Sequence, residues 1–529
     1  MRIPAGRWER LSSPWWRGAA AVLFGALPAL AFPAPSLWWF AYVALVPWML
    51  LIRSAPTGRR AALDGWLGGT GFMLAAHHWL MPSLHVFIVV LAALLALLWL
   101  PWGWLVRSML GGAPSAVRAT AALAVLPAGW LMVELVRSWE GLGGPWGLLG
   151  SSQWQVAPAL RVASVGGVWL VSLLVVAVNT GVTVLVAVPT ARTPAAAGVL
   201  ACALLTAAAW AWAPRPERTG QARIAVVQPG IVNGIGGAER RFARSETLTG
   251  ELAGQDLDLV IWGESSVGED LARRPDLADR LAAVSRRVGA DVLVNVDARR
   301  SDRPGIFKSS ILVGPRGPTG YRYDKMRLVP FGEYVPARAL LGWATSVGKA
   351  AGEDRMRGTR PVVMELPGDA ADGLRVGPLV CFESAFPDMS RKLTRGGAQL
   401  LVTQSATSTF QGSWAPEQHA SLAALRAAEN GRPVAHATLT GVSAVFGPSG
   451  ERVGSPLGTD RSEAAVYDVP LAAGSTLYVR AGDWAVHGAL AVLALLCAAE
   501  GVRAFRQPVR RPRGPHARTA HGSAARRGR

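Results

Sequence analysis

The chain has 529 residues, enough for two or three domains, but 51% are hydrophobic, 22 are Trp and only 17% are charged, which excludes a single water-soluble globule. A formal net charge of +19 raises nucleic acid as a partner, yet nine Arg and no acid in residues 501–529 supply about half of it, and no zinc finger, basic-aromatic RNA motif or recognition-helix pattern accompanies it. The basic end reads instead as a cytoplasmic anchor to anionic lipid, with no nucleic-acid partner.

Apolar stretches long enough to cross a bilayer, about 18 residues or more, recur at about 18–35, 36–52, 61–81, 84–106, 119–136, 163–188 and 195–213, and once more at 484–502. Eight transmembrane helices are expected, and an even number places both termini on one side. Arg2, Arg7, Arg10 and Arg17, then Arg53, Arg59 and Arg60, then Arg107 and Arg118, and finally Arg192 and the tail all fall on that side. The positive-inside rule makes it the cytoplasm. A cleaved signal sequence over the Ala-rich residues 18–33 is the alternative, disfavoured because more spans follow at once. Residues 139–154 are apolar but broken by Gly143, Gly144, Pro145 and Gly150, so a re-entrant or interfacial piece is expected there.

From about 221 to 470, short β-branched runs alternate with amphipathic, charged stretches. Strands are expected at 223–228, 257–262, 291–296, 310–314, 375–382, 399–404, 433–438 and 443–447, and helices at about 238–253, 270–288, 388–395 and 416–430. The last helix opens on Pro416, a favoured first-turn residue. Strands interleaved with helices give an α/β domain. The expected organisation is a seven-helix transmembrane region over 1–214, a catalytic domain over 221–472, a last span over 484–502 and an unstructured, basic cytoplasmic tail over 503–529.

No G-x-S-x-G elbow, H-E-x-x-H, Walker A sequence or strand-following G-x-G-x-x-G is present, so serine-hydrolase, zinc-hydrolase and nucleotide-dependent chemistries start low. Of three cysteines, Cys202 and Cys497 lie in apolar runs, where a thiol is usually a small buried hydrophobe, and the spacings give no disulfide framework. Cys381 differs, closing the run Gly377-Pro378-Leu379-Val380 and preceding Phe382-Glu383-Ser384. Glu264 likewise follows a buried run, Leu259-Val260-Ile261-Trp262-Gly263, and Lys325 stands in a loop. Singly, these read as a core cysteine, a strand-terminal surface carboxylate and a basic loop residue. Together they read differently, because a thiol with a pKa of about 8.5 needs a base to take its proton and a cation to favour the anion. Glu264 supplies the first and Lys325 the second, and the same ammonium can donate to a carbonyl oxyanion. His77, His78 and His85 lie in or beside the third and fourth spans and read as structural or interfacial, while His419 and His436 read as core hydrogen-bonding residues. No metal and no cofactor are expected.

The motifs Trp262–Ser265 (WGES), residues 324–336 (DKMRLVPFGEYVP) and residues 381–384 (CFES), in this order, resemble the nitrilase superfamily. Apolar spans on both sides, with the later stretches HASLAALRAAENGRP and TGVSAV, narrow the resemblance to its membrane-embedded branch, the apolipoprotein N-acyltransferase family. The resemblance covers essentially the whole chain. It implies an extracytoplasmic α-β-β-α sandwich, with Glu264 as general base, Lys325 as the oxyanion-stabilising lysine and Cys381 as nucleophile. Glu333 matches a second glutamate near the site, and Phe382 and Glu383 match the pair after the nucleophile. It further implies a bacterial inner-membrane enzyme that takes an acyl chain from a phospholipid onto Cys381 and passes it to the α-amino group of a lipoprotein's diacylglyceryl-cysteine. A monomer is expected. The sequence departs from the pattern at residues 228–237, which lack a common tryptophan, at residues 404–412, which replace N-D-A-W-F-G, and in the stretch Phe307-Lys308-Ser309, where asparagine is usual. Two rivals share the triad or its remnant: a membrane-tethered amidase, in which water resolves the thioester, and a non-catalytic scaffold.

Overall fold

The computed structural model describes residues 13–232, 234, 236–342, 351–366 and 373–506. Arg2, Arg7, Arg10 and the basic tail from residue 507 lie outside them. Four helices are long and apolar enough to cross a membrane: Ala116–Arg137, Ala157–Ala187, Pro189–Trp212 and Trp484–Phe505. Phe87–Ala96 and Trp99–Leu110, bent by 45° at their junction, make a fifth if taken together. The first two expected spans are not continuous helices. Pro14–Ala26 passes into a 3-10 turn at Leu27–Ala31, and the next stretch runs from the turn Trp38–Tyr42 to the helix Val46–Arg53. Pro28, Pro33 and Pro35 explain the first break, since each removes a backbone donor and its ring crowds the preceding turn.

Close approach between these helices depends on glycine. A Cβ at Gly65 of helix Gly58–Ala76 would stand 2.5 Å from the Trp99 carbonyl oxygen, and one at Gly25 would stand 2.0 Å from that of Gly68. Where lipid offers no hydrophobic drive between helices, such small residues permit the backbone contact that holds them. Trp48, Phe72, Trp99, Trp102 and Trp130 fill the space beside them, with neighbouring ring centroids from 5.0 to 6.1 Å apart.

Ala157–Ala187 is broken at Gly166 and Gly167, the latter at φ 70°, ψ −177°. A Cβ at Gly167 would sit 2.5 Å from the Tyr478 ring. The break frees the Val168 N–H, which donates to Glu429 Oε1 at 2.8 Å. A span is thus joined to the α/β part through a buried hydrogen bond.

Two six-stranded sheets form the α/β part. The first has β1 (Glu217–Gln228), β2 (Leu259–Trp262), β3 (Asp291–Arg299), β4 (Ile306–Gly314), β5 (Gly317–Asp324) and, last in the chain, β12 (Glu463–Ala473), ordered β12-β1-β2-β3-β4-β5. The second has β6 (Met364–Glu365), β7 (Arg375–Val380), β8 (Leu400–Ser405), β9 (Val434–Thr438), β10 (Ser443–Phe446) and β11 (Arg452–Leu457), ordered β11-β10-β9-β8-β7-β6. The strand β12 (Glu463–Ala473) returns to pair antiparallel with β1. The period of two in β1 explains the layering. Ile224 and Val226 face the other sheet, against Val380, Val402 and Ala437, while Ala225 and Val227 face the helices Gly237–Gly250 and Pro275–Val288. The second sheet is covered outside by Pro387–Arg395 and Ala415–Asn430, giving the nitrilase-like α-β-β-α sandwich. β5, β6, β11 and β12 are strands beyond those expected. Residues 381–382, expected to end a strand, instead open a 3-10 turn, Cys381–Ala385.

Candidate active site

Glu264 leaves β2 after Gly263, whose missing Cβ would fall 2.0 Å from the Leu439 backbone nitrogen, so the two sheets meet here backbone to backbone. The Glu264 N–H donates to Ser405 O of β8 at 3.1 Å, and the carboxylate is buried. From the second sheet, β7 delivers Cys381 at φ 51°, a left-handed conformation costing a β-carbon residue of order 1–3 kcal/mol and kept only where the surroundings enforce it. One restraint is Glu383, whose Oε1 accepts from Tyr323 Oη at 2.7 Å and from the Met326 and Arg327 N–H groups at 2.7 and 3.0 Å, while its Oε2 accepts from Val380 N–H at 2.9 Å. The turn after the cysteine and the chain after Lys325 are thereby clamped together. A second restraint is His419. Its Nε2 lies 3.1 Å from Cys381 O and 3.0 Å from Ser384 Oγ, and its Nδ1 lies 3.0 Å from Ser405 Oγ.

Lys325 follows β5, its N–H donating to Lys308 O at 2.8 Å, and its buried Nζ lies 2.7 Å from Glu333 Oε1 and 3.4 Å from Glu264 Oε1. Glu333 Oε2 accepts from Val329 N–H at 2.9 Å, fixing the loop. The structure therefore brings Glu264, Lys325, Glu333, Cys381 and Glu383 together. Phe382 points elsewhere: it meets Phe386 edge-on at 4.9 Å, and Gly144 of the broken 139–154 segment packs on both rings. That segment holds two 3-10 turns, Glu140–Leu142 and Leu149–Gln153, and carries Trp146 to 5.3 Å from the His419 ring. In the divergent 404–412 stretch, Phe410 stacks edge-on with Trp79 at 5.0 Å.

In sequence Lys308 stands only within a stretch, residues 307–309, that departs from the pattern. Its Nζ in fact lies 2.7 Å from Glu264, 3.2 Å from Glu333 and 3.8 Å from Asp297. His419 was read as a core residue, and it does hydrogen-bond there, but to the backbone of the candidate nucleophile. The reading of His436 needs correction: among the described residues neither of its ring nitrogens has a hydrogen-bond partner, and the ring packs edge-on at 4.7 Å against His419. No spacing signal marks Lys308 or His419, since both reach the site by strand and helix placement.

Electrostatics divide the labour. Burial raises Glu264, but Lys308 and Lys325 outweigh it and hold the carboxyl down at about 2. Burial, reinforced by the Glu264 charge, pushes the Cys381 thiol up to about 12 against the pull of Lys325. Burial would discharge Lys325, but Glu333 and Glu264 keep it charged, well above the usual lysine range. At rest the site holds a neutral thiol hydrogen-bonded to an ionised carboxylate. Beside them stands an ammonium that, among the described residues, donates to Glu333 and Glu264, leaving one of its three N–H groups for an oxyanion. Such an arrangement can transfer a proton, attack a carbonyl carbon and stabilise the tetrahedral adduct. Among the described residues no cluster of His, Cys, Asp and Glu is arranged to hold a metal ion.

An α-β-β-α sandwich with carboxylate, ammonium and thiol gathered at strand ends defines a nitrilase-superfamily domain, and residues 223–476 match the carbon-nitrogen hydrolase family. Residues 24–181 match the apolipoprotein N-acyltransferase N-terminal domain. An apolipoprotein N-acyltransferase from Geobacter metallireducens is 30% identical over 506 residues, covering 90% of this chain and 94% of the relative. One from Azotobacter vinelandii is 30% identical over 524 residues, covering 92% and 96%. A crystal structure of a CN-hydrolase superfamily protein from Xanthomonas campestris aligns with a TM-score of 0.37 at 21% identity, covering 47% of this chain and 91% of that one. The chain belongs to the apolipoprotein N-acyltransferase family.

Proposed function

We propose that the chain transfers an acyl group from a membrane phospholipid to the α-amino group of the N-terminal S-diacylglyceryl-cysteine of a lipoprotein, through a thioester on Cys381. The observation that carries this reading is the convergence of Glu264, Lys325 and Cys381 from both sheets, beside a segment continuous with membrane helices. Glu264 accepts the Cys381 proton as Sγ attacks the ester carbonyl, and Lys325 stabilises the oxyanion. The ester C–O bond then breaks, and the departing lysophospholipid oxygen takes the proton from Glu264. In the second half the amine attacks the thioester, Glu264 accepts the amine proton, and the C–S bond breaks to return the proton to the thiol. Glu333 holds Lys325, and Glu383 holds the turn that presents Cys381. No cofactor takes part.

Membrane context follows from the apolar helices and from the bacterial relatives. The finer reading is a monomer in the inner membrane with eight spans, the short apolar helices before residue 110 each belonging to a pass, both termini cytoplasmic and the catalytic domain outside. The division at 1–214, 221–472, 484–502 and 503–529 belongs to the same reading.

Intact mass spectrometry of the detergent-purified protein incubated with phospholipid alone tests it. An added acyl mass, labile to hydroxylamine and absent from Cys381→Ala, is the expected result. No adduct while Cys381 still alkylates readily would turn the reading toward the amidase or the scaffold.

A further inference from the structure

A lysine ammonium has three N–H donors, and the Nζ of Lys308 faces three carboxylates: Glu264 at 2.7 Å, Glu333 at 3.2 Å and Asp297 at 3.8 Å. It donates a hydrogen bond to Glu264, and the other two carboxylates stand within ion-pair distance. Asp297 is also held from outside by Arg355, at 3.3 Å to each oxygen, which keeps it in place as the third partner. The two lysines of the site divide two carboxylates in crossed fashion. Lys325 is nearer Glu333 (2.7 Å) than Glu264 (3.4 Å), whereas Lys308 is nearer Glu264 (2.7 Å) than Glu333 (3.2 Å). Without Lys308 the two carboxylates would share one ammonium, and the one with the longer contact, Glu264, would be left to take up a proton. The other groups facing Glu264 offer no substitute: Cys381 is neutral at rest, and buried His419 is held neutral across ordinary pH.

We infer that Lys308 is a positioning residue for the transfer reaction, keeping the Glu264 carboxylate charged and aimed at Cys381 without itself touching the reacting atoms. This rests on Glu264 being the group that takes the Cys381 proton. It also gives the departure at residues 307–309 a physical meaning: the chain has placed a second, partly buried cation where its base needs one.

The test uses the full-length detergent-solubilised protein and needs no lipid. Alkylation of Cys381 by iodoacetamide is followed against pH in the wild type, in Lys308→Met and in Lys308→Arg, by peptide mass. In Lys308→Met the fall in rate on the acid side moves from below about pH 3 to near about pH 6, so the ratio of rates between about pH 8 and about pH 5 rises about tenfold, while Lys308→Arg follows the wild type. A Lys308→Met profile superimposed on the wild type, or Lys308→Arg shifting as far as Lys308→Met, would overturn the inference. Infrared difference spectra of the wild type against Glu264→Gln test it without any change at Lys308. No protonated-carboxyl band belonging to Glu264 is expected on acidification to about pH 4, and such a band appearing near about pH 5 would equally overturn it. Because alkylation requires no acyl donor, a chain that forms no thioester but shows these shifts would lose the acyl-transfer reading and keep this one.

Discussion

The backbone N–H of Val168, inside an apolar helix, donates to the carboxylate of Glu429 in the sandwich at 2.8 Å. The donor exists because the helix is broken at Gly166 and Gly167. The same oxygen, Oε1, also accepts from Arg426 Nη2 at 2.8 Å, and both side chains are almost wholly buried. Removing this one carboxylate would leave a buried guanidinium and a buried N–H without their partner.

Glu429→Ala is therefore expected to destabilise the junction by about 3–5 kcal/mol, the range for breaking a buried ion pair. Glu429→Gln keeps an acceptor for Val168 and is expected to cost less. Apparent melting temperature in detergent, followed by tryptophan fluorescence, checks the ranking, and equal loss in both variants would contradict it.

At Gly167 any side chain meets two obstacles, the Tyr478 ring at 2.5 Å and a φ, ψ pair that is essentially glycine-only. Gly167→Ala is expected to lower folded yield and melting temperature sharply. Pairing it with Tyr478→Ala should recover only part of the loss, because the backbone strain of about 1–3 kcal/mol remains. Full recovery would show that contact with the ring was the whole cost.

Glu264→Gln keeps the size of the side chain and removes its basicity. Thioester formation from phospholipid is expected to fall by about 10²–10⁴-fold, measured as the rate of acyl-mass appearance. A drop below about tenfold would remove Glu264 from the role of base. Because burial and the Glu264 charge raise the Cys381 thiol to about 12, no thiolate absorbance is expected at neutral pH in the wild type.

His419 is depressed to about 4 by burial, and so is neutral in the folded protein where an unfolded histidine would be protonated. Between about pH 6.5 and 4 the unfolded chain binds the extra proton, so stability is fully present above that window and is lost as pH falls through it, by roughly 3 kcal/mol for this residue. His436, depressed by burial and by His419, acts in the same direction. His419→Gln should flatten the acid side of a stability-against-pH curve measured by denaturant titration. A wild-type curve without that slope would refute the assignment.

Much of the sandwich was legible because its central strands are uninterrupted apolar runs, and Glu264 and Cys381 stand immediately after two of them. The strands that escaped notice are edges or edge partners. β11 is largely exposed, β5 is only partly covered, and the first half of β1 is exposed where it pairs with β12, so none shows a continuous apolar run. Lys308 and His419 were hidden for another reason. Alternation along β4 and helical phase along Ala415–Asn430 aim them inward, but only the packing of the two sheets decides what they meet. The early apolar stretches matched in composition but not in continuity, since hydropathy does not register the prolines that divide them.

The thiol and its carboxylate belong to opposite sheets, and the chain makes Glu264 more than a hundred residues before Cys381. While the polypeptide is still emerging, neither half carries a working centre. Reactivity is born only at closure, when β8 receives the Glu264 backbone and the elbow at Cys381 is clamped. A half-translated chain therefore carries the carboxylate without its thiol and has no assembled centre.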